Sequence, residues 1–180
     1  MKKYSLYTLC IFLFFNIFIF STTSCQRKQN INKDEFIEKY QIEDFSKFSN
    51  SFIAIRSKGL LEVTYMIHEF GSNLPPYFVI YNCLTNSIIK IDNTMLKEEG
   101  IDDYYTEKEI SDLIIEFRKY DFYLLGSDNE GNVLINPYEI NQPAFYVRAT
   151  NTNLPDTIRI GYVYKKFKDN WYINTQFKHE

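Results

Sequence analysis

The first 25 residues most constrain this chain, because they decide how much of it remains to fold. Lys2 and Lys3 give a basic start, and the 12 residues from Leu9 to Phe20 form an apolar run interrupted only by Asn16. Four small residues, Ser21 to Ser24, follow. Basic, apolar and small segments in this order are typical of a secretory signal. A permanent transmembrane anchor is the alternative, but the run is well short of the roughly 20 residues that span a bilayer as a helix.

Cys25 stands directly after the small residues. Small residues before a cysteine, after such an apolar run, resemble the lipobox of bacterial lipoprotein precursors. The resemblance covers residues 1 to 25, and Thr22 departs from it, since an aliphatic residue is usual there. It implies that Cys25 is acylated, that the chain is cleaved before it, and that Cys25 is the lipid attachment site. Ordinary cleavage nearby, leaving a soluble exported protein, is the alternative.

The residues after Cys25 bear on the cellular location of the protein. Gln26 stands where an aspartate would resemble an inner-membrane retention signal, and residues 26–30 lack the acidic run that resembles a surface-export signal. The resemblance therefore implies a membrane-anchored protein of the cell envelope, on the periplasmic face of the outer membrane. The domain prediction is a signal peptide at 1–24, a lipidated tether at 25–32 and one domain at 33–180.

The cysteine count limits how the domain is stabilised. Cys10 leaves with the signal and Cys25 carries lipid, so only Cys83 remains and no internal disulfide can form. The domain must therefore be stable from its core alone, which is feasible at this length. Because Cys83 lies in the apolar run Tyr77–Leu84, we expect a buried structural thiol there.

Composition and charge favour a folded domain that does not bind nucleic acid. The chain is 45% hydrophobic and 18% aromatic, which is more than disordered chains contain. Without the two signal lysines, 18 basic and 23 acidic side chains remain. Nucleic-acid binding depends on a basic surface, so this acidic balance argues against it.

Two helices are predicted. The first runs from about Lys33 to Phe45, with Asn32 as N-cap. The second is clearer, because Thr106 and Glu109 have the spacing of a capping box. It is followed by one apolar face at helical spacing, made of Ile110, Leu113, Ile114 and Phe117.

Alternating and β-branched segments predict a largely antiparallel sheet of about six to nine strands. The predicted strands cover 51–56, 61–68, 77–84, 87–92, 120–126, 132–136, 143–150, 157–165 and 171–177. A turn at Ser57–Gly59 and another around Thr85–Asn86 would make the first two hairpins. Together with two helices, this predicts a single α+β domain.

Chemistry-bearing motifs are sparse, and we expect no cofactor and no metal. There is no His-Glu-x-x-His, paired cysteine, glycine-rich phosphate loop or Gly-x-Ser-x-Gly. His179 is next to last, and His68 and Glu69 are strand neighbours that point to opposite faces. Asp128, Glu130 and Asn132 fit a hairpin turn better than a calcium loop. Six aromatic residues could form a stacking platform, although strand aromatics pack cores more often: Tyr104, Tyr105, Tyr162, Tyr164, Trp171 and Tyr172.

One acidic cluster stands out before the second helix. Glu98, Glu99, Asp102 and Asp103 put four carboxylates within six residues. A solvated acidic loop is the simplest interpretation, and a site for a protein or peptide with a basic surface is the functional one. The leading hypothesis is a lipid-anchored, non-enzymatic interaction domain, in a more specific version an immunity-type protein. The alternative is an envelope hydrolase whose catalytic residues are scattered in sequence.

The lipid anchor predicts the result of one substitution. In a Cys25→Ala variant, incorporation of a clickable fatty acid should be abolished and the domain should leave the membrane fraction, because no other residue of the pattern can be acylated. Labelling and fractionation of cells expressing both forms measure this. Labelling that persists in the variant would refute the assignment of Cys25.

Overall fold

A single antiparallel sheet forms the body of the protein. The computed structural model describes residues 31–151 and 161–177, and within them the sheet has nine strands in the order β4-β3-β2-β1-β5-β6-β7-β9-β8. These are β1 (Ser51–Lys58), β2 (Glu62–Glu69), β3 (Tyr77–Asn82), β4 (Ser87–Asp92), β5 (Leu124–Ser127), β6 (Val133–Asn136), β7 (Tyr146–Arg148), β8 (Tyr164–Lys168) and β9 (Trp171–Asn174). All eight neighbouring pairs are antiparallel, which confirms the predicted sheet.

Three α-helices accompany the sheet in the described ranges: α1 (Lys33–Tyr40), α2 (Thr94–Glu98) and α3 (Glu107–Phe117). A 3₁₀ turn spans Ser46–Phe48. The two predicted helices correspond to α1 and α3, and the five-residue α2 is an addition. No helix in the described part of the chain is long and apolar enough to cross a membrane.

Local sequence signals determine α3. The Thr106 hydroxyl accepts the Glu109 amide at 3.2 Å, and the Glu109 carboxylate accepts the Thr106 amide at 2.8 Å. This is the predicted capping box. The predicted apolar face is buried, and Phe117 meets Tyr65 of β2 edge to face with ring centroids 6.0 Å apart. The helix therefore packs on the β1–β3 half of the sheet.

The first helix starts where predicted and ends five residues early. Asn32 caps its start through its side chain, but the helix stops at Tyr40 rather than Phe45. The Arg148 guanidinium, from β7, donates to the carbonyl oxygens of Tyr40 at 2.9 Å and Glu43 at 2.8 Å. A cation at the final carbonyls satisfies groups that lack helical partners. A tertiary contact over a hundred residues away therefore completes this helix end.

Aromatic packing holds α1 on the other half of the sheet. Phe36 stacks on Tyr146 with ring centroids 4.1 Å apart and planes within 7°. Trp171 is fully buried beside them, and its indole donates to the Gln41 side chain. Cross-strand register places Tyr146 on the same face as Tyr65, so α1 and α3 cover one face at opposite ends.

The opposite face carries two smaller apolar clusters. Ala54, Leu124 and Ala144 form one, and Val147, Ala149 and Tyr172 form the other. Because Trp171 lies on the helix-covered face and Tyr172 on this one, the predicted aromatics do not make one stacking platform. Trp171 and Tyr172 serve as core on the two different faces, and Tyr162 is exposed by 44%.

Cys83 is half-buried, so the prediction of a buried thiol is wrong. The cause is the end of β3 at Asn82. The Asn82 side chain accepts the amides of Leu84 at 2.8 Å and Thr85 at 3.0 Å. This side-chain turn ends the strand before the apolar run does, which leaves Cys83 in the turn.

Several predicted strand ends also shift. The strand predicted from Tyr120 begins at Leu124, and the one predicted over 143–150 is reduced to Tyr146–Arg148. Residues 157–160 of the strand predicted over 157–165 lie outside the described residues, and β8 starts at Tyr164. Both predicted hairpins form, but Ser57 and Lys58, which were predicted to lie in the first turn, belong to β1, so that turn is shifted to 59–61.

Truncating the buried face of α3 should destabilise the domain strongly. Leu113→Ala and Phe117→Ala should each lower the free energy of unfolding by about 2–5 kcal/mol, because each leaves a cavity under the helix. Ile115→Ala, on the exposed side of the same helix, is the matched control and should have a small effect. Urea titrations measure all three, and equal losses at 113 and 115 would contradict this packing.

Candidate partner-binding site

The four predicted carboxylates lie together at the exposed end of α2. Glu98 is the last residue of the helix, Glu99 is its C-cap, and Asp102 and Asp103 follow one turn later. All four are exposed. This region, Glu98–Asp103, is called the acidic segment below. It was predicted to be a loop, and its first part is helix.

A Schellman motif gives the acidic segment its shape. The Gly100 amide bonds the Lys97 carbonyl at 3.1 Å, and the Ile101 amide bonds the Leu96 carbonyl at 2.9 Å. Gly100 has a φ of +69°, a conformation that glycine adopts without steric cost. Leu96 is fully buried and anchors the turn. The paired acids on either side of Gly100 therefore project from a fixed turn.

The second half of the segment is fastened to β3. The side-chain amide of Asn93 donates to both carboxylate oxygens of Asp103, at 2.8 and 3.0 Å. The Tyr77 hydroxyl accepts the amides of Tyr104 at 2.8 Å and Tyr105 at 3.2 Å. Burial raises the pKa of Tyr77, which keeps the hydroxyl neutral. Tyr104 in turn donates to the Pro75 carbonyl at 2.8 Å. These bonds make the loop a preformed surface.

The fold does not use most of these charges. No ion pair joins Glu98, Glu99 or Asp102 to any residue that the structure describes. Glu98 and Glu99 also stand at a helix C-terminus, where the helix dipole disfavours anions. Their positions therefore cost a little stability, which a purely structural role would not explain.

A shallow groove lies beside Tyr105 and α3, and sequence reasoning missed it. It measures about 540 Å³ and runs along α3 past Tyr105, whose hydroxyl lies 3.0 Å from the Ser51 hydroxyl. Its carboxylates are engaged within the fold: Glu109 in the capping box, and Glu116 with Lys47 at 2.9 Å. No local signal could have found it, because its walls come from β1, the 3₁₀ turn and α3.

His68 sits in a half-buried aromatic setting. Its ring stacks on Phe52 with centroids 4.6 Å apart. Its Nδ1 lies 2.8 Å from the Glu69 carbonyl oxygen, which can only accept, so Nδ1 carries the hydrogen. Burial lowers the pKa of the imidazole, and the bond to the carbonyl opposes this partly. Register puts His68 opposite Phe52 and Glu69 opposite Ser51, so the two neighbours face opposite sides as predicted.

Of the remaining sequence candidates, some have a structural role and others lie outside the described residues. Asp128 accepts the amides of Glu130 at 2.9 Å and Asn132 at 2.8 Å, so it closes the predicted hairpin turn. No cluster of three or more histidine, cysteine or acidic side chains able to hold a metal occurs in the described ranges. Cys25 and His179 lie outside them.

No protein-family model, curated protein or solved structure matches the chain.

The setting of His68 predicts a pH dependence of stability. Its pKa in the folded state lies below the ordinary 6.5, so the unfolded chain takes up this proton first as pH falls. Stability from the neutral ring is complete above about pH 6.5 and declines as pH drops through 6.5 toward the folded pKa. Between pH 7.5 and 5.5, urea midpoints should fall more for the wild type than for His68→Gln. Identical slopes would contradict this setting.

Proposed function

We propose that this protein is a lipid-anchored, non-enzymatic binding domain of the bacterial cell envelope. It is attached through Cys25, on the periplasmic face of the outer membrane, and it presents the acidic segment to a protein or peptide with a basic surface. The observation that carries the proposal is a set of exposed carboxylates, mostly unused by the fold, on a rigid turn.

Preorganisation supports a recognition role for the acidic segment. A surface already held in shape loses little conformational entropy on binding, so more of the contact energy appears as affinity. The bonds from Asn93 to Asp103 and from Tyr104 and Tyr105 to Tyr77 provide this rigidity. Clustered like charges also attract an oppositely charged surface and raise its association rate.

The start of the fold supports an anchor close to the bilayer. Helix α1 begins at Lys33, immediately after the predicted tether 25–32. A tether of these eight residues reaches at most about 29 Å when fully extended. The domain would therefore stay near the membrane while its acidic segment meets a partner in the periplasm.

The setting of His68 supports the binding class over the hydrolase. A histidine acting as general base needs a partner that orients it toward a reacting proton. Here Nδ1 donates to the main-chain carbonyl of Glu69 and not to a carboxylate, and the ring packs on Phe52 with the two planes 29° apart, so neither contact brings an acidic side chain to the imidazole. An immunity-type protein, which blocks a toxin by surface complementarity, is the most specific form of the proposal and is an analogy.

Neutralising the acidic segment should slow partner association. Changing Glu98, Glu99, Asp102 and Asp103 to amides should lower the association rate roughly tenfold at low salt and flatten its salt dependence, since electrostatic steering is lost. A second variant that keeps Asp103, and with it the bonds from Asn93, should show most of the effect. Stopped-flow measurements with the partner purified from envelope extract test this.

The control set removes the same charge elsewhere: Glu62→Gln, Glu130→Gln, Glu139→Gln and Asp169→Asn. These residues are exposed and scattered, so association should stay near the wild-type rate, and His68→Ala should leave binding intact. Binding indifferent to the amides, together with an activity lost in His68→Ala, would overturn the proposal in favour of an enzyme.

A further inference from the structure

The outermost strand β8 combines free basic charge with exposed apolar side chains. Lys165 and Lys166 are exposed, and neither forms an ion pair with a described residue. Three large apolar side chains on the same stretch are also exposed: Tyr162 by 44%, Val163 by 49% and Phe167 by 40%. This stretch, Tyr162–Lys168, is called the basic edge.

Exposed lysines on an edge strand are common and do not by themselves indicate a binding surface. Charged side chains on an edge strand commonly prevent it from pairing with another sheet. Exposed aromatic and aliphatic side chains beside them work against that purpose, because they add a surface that favours contact. Apolar groups that enter the headgroup region, flanked by lysines that meet phosphate, are the pattern of a membrane-surface contact.

The two lysines project to both sides of the edge. Lys165 pairs with Ile173 and Lys166 with Tyr172 of β9, so they lie on opposite faces of the sheet. Lys168 is different, because its ammonium lies 3.7 Å from Asp34 and 3.5 Å from Glu38 of α1. A flat anionic surface that approaches the edge could reach both free lysines at once.

The N-terminal end of the domain lies at this same edge. The contact between Lys168 and Asp34 joins β8 to the first turn of α1. Lys33, the first residue of α1, lies over the ring of Phe145 at 5.5 Å, and the Tyr164 hydroxyl donates to the neighbouring Ala144 carbonyl at 3.1 Å. Helix α1 therefore begins beside the basic edge.

We infer that the basic edge rests on the surface of an anionic bilayer and orients the domain on its anchor. The inference rests on the proposed function, since the lipid on Cys25 brings this edge to the membrane. The acidic segment is fastened to β3, beside the opposite edge strand β4. At about 4.8 Å per strand, the two surfaces are separated by up to about 38 Å across the sheet. Docking would hold the acidic segment away from the anionic membrane.

A fluorescent reporter tests this orientation. Phe167→Trp places an indole at the edge, while the native Trp171 stays fully buried. The full chain, acylated in cells and purified, is reconstituted into phosphatidylcholine vesicles with or without phosphatidylglycerol. Nitroxide-labelled lipid should quench the new indole in the anionic vesicles and much less in the neutral ones.

Lysine substitutions identify the cause of the quenching. Lys165→Gln with Lys166→Gln should lower the docked-to-undocked ratio roughly 30-fold, since each lysine near an anionic surface contributes a factor of about five. Lys58→Gln with Lys97→Gln removes two exposed charges elsewhere and should preserve docking. Quenching that is equal in both vesicles, or unchanged by the first pair, would overturn the inference. Quenching that depends on protein density instead of lipid charge would also overturn it, because it would indicate pairing between copies.

Failure of the anchor can be told apart from failure of docking. The mass of the purified chain shows whether Cys25 carries acyl groups. If it does not, the proposed function loses its anchor, and the same reporter chain is then mixed with anionic vesicles. Quenching that still requires phosphatidylglycerol and both lysines would support the basic edge by itself, and its absence would overturn it.

Discussion

The attachment of α1 to the far half of the sheet is the contact on which the arrangement of this protein depends. The Arg148 guanidinium donates to three carbonyl oxygens at the end of α1, those of Tyr40, Gln41 and Glu43, and lies over the ring of Phe45. Breaking a half-buried charged contact of this kind leaves both the guanidinium and the carbonyl oxygens without partners, which is costly. The stack of Phe36 on Tyr146 adds aromatic contact to the same junction.

This junction determines where the start of α1 lies relative to the acidic segment. Because α1 is locked over β7–β9, its first turns lie at the β8 edge of the sheet. The acidic segment is tied to β3 through Tyr77, near the other edge. The fold therefore places the basic edge beside the start of α1 and the acidic segment near the other edge of the sheet. The width of the nine-stranded sheet separates the two surfaces.

Local signals in the sequence predict much of the fold. The capping box at Thr106 and Glu109 and the apolar face of α3 depend on neighbours within one or two turns, and both are confirmed. The antiparallel sheet follows from alternation and turn residues. The end of α1 could not be predicted, because it depends on Arg148, far away in sequence. Asn82 and Gly100 are local signals that could have been used. Asn82 predicts a turn within the apolar run Tyr77–Leu84, and Gly100 predicts a helix end within the acidic segment.

The acidic segment shows the same limit at the level of the site. Its carboxylates are evident from the sequence, but their rigidity comes from bonds to Asn93 and Tyr77, which lie in other elements. The groove beside Tyr105 was invisible for the same reason. Sequence therefore predicts which charges are present, and the structure adds that they are preformed, exposed and for the most part unpaired within the described residues.

Photocrosslinking in living cells tests the central claim most directly, namely that the acidic segment is the surface that meets a partner. A photoreactive residue replaces Glu99 in one strain and Glu62, an exposed glutamate of β2, in another. The account predicts a discrete crosslinked adduct from position 99 in the membrane fraction, with a protein or peptide that carries a basic surface, and none from position 62. No adduct from position 99, or the same adducts from both positions, would contradict it.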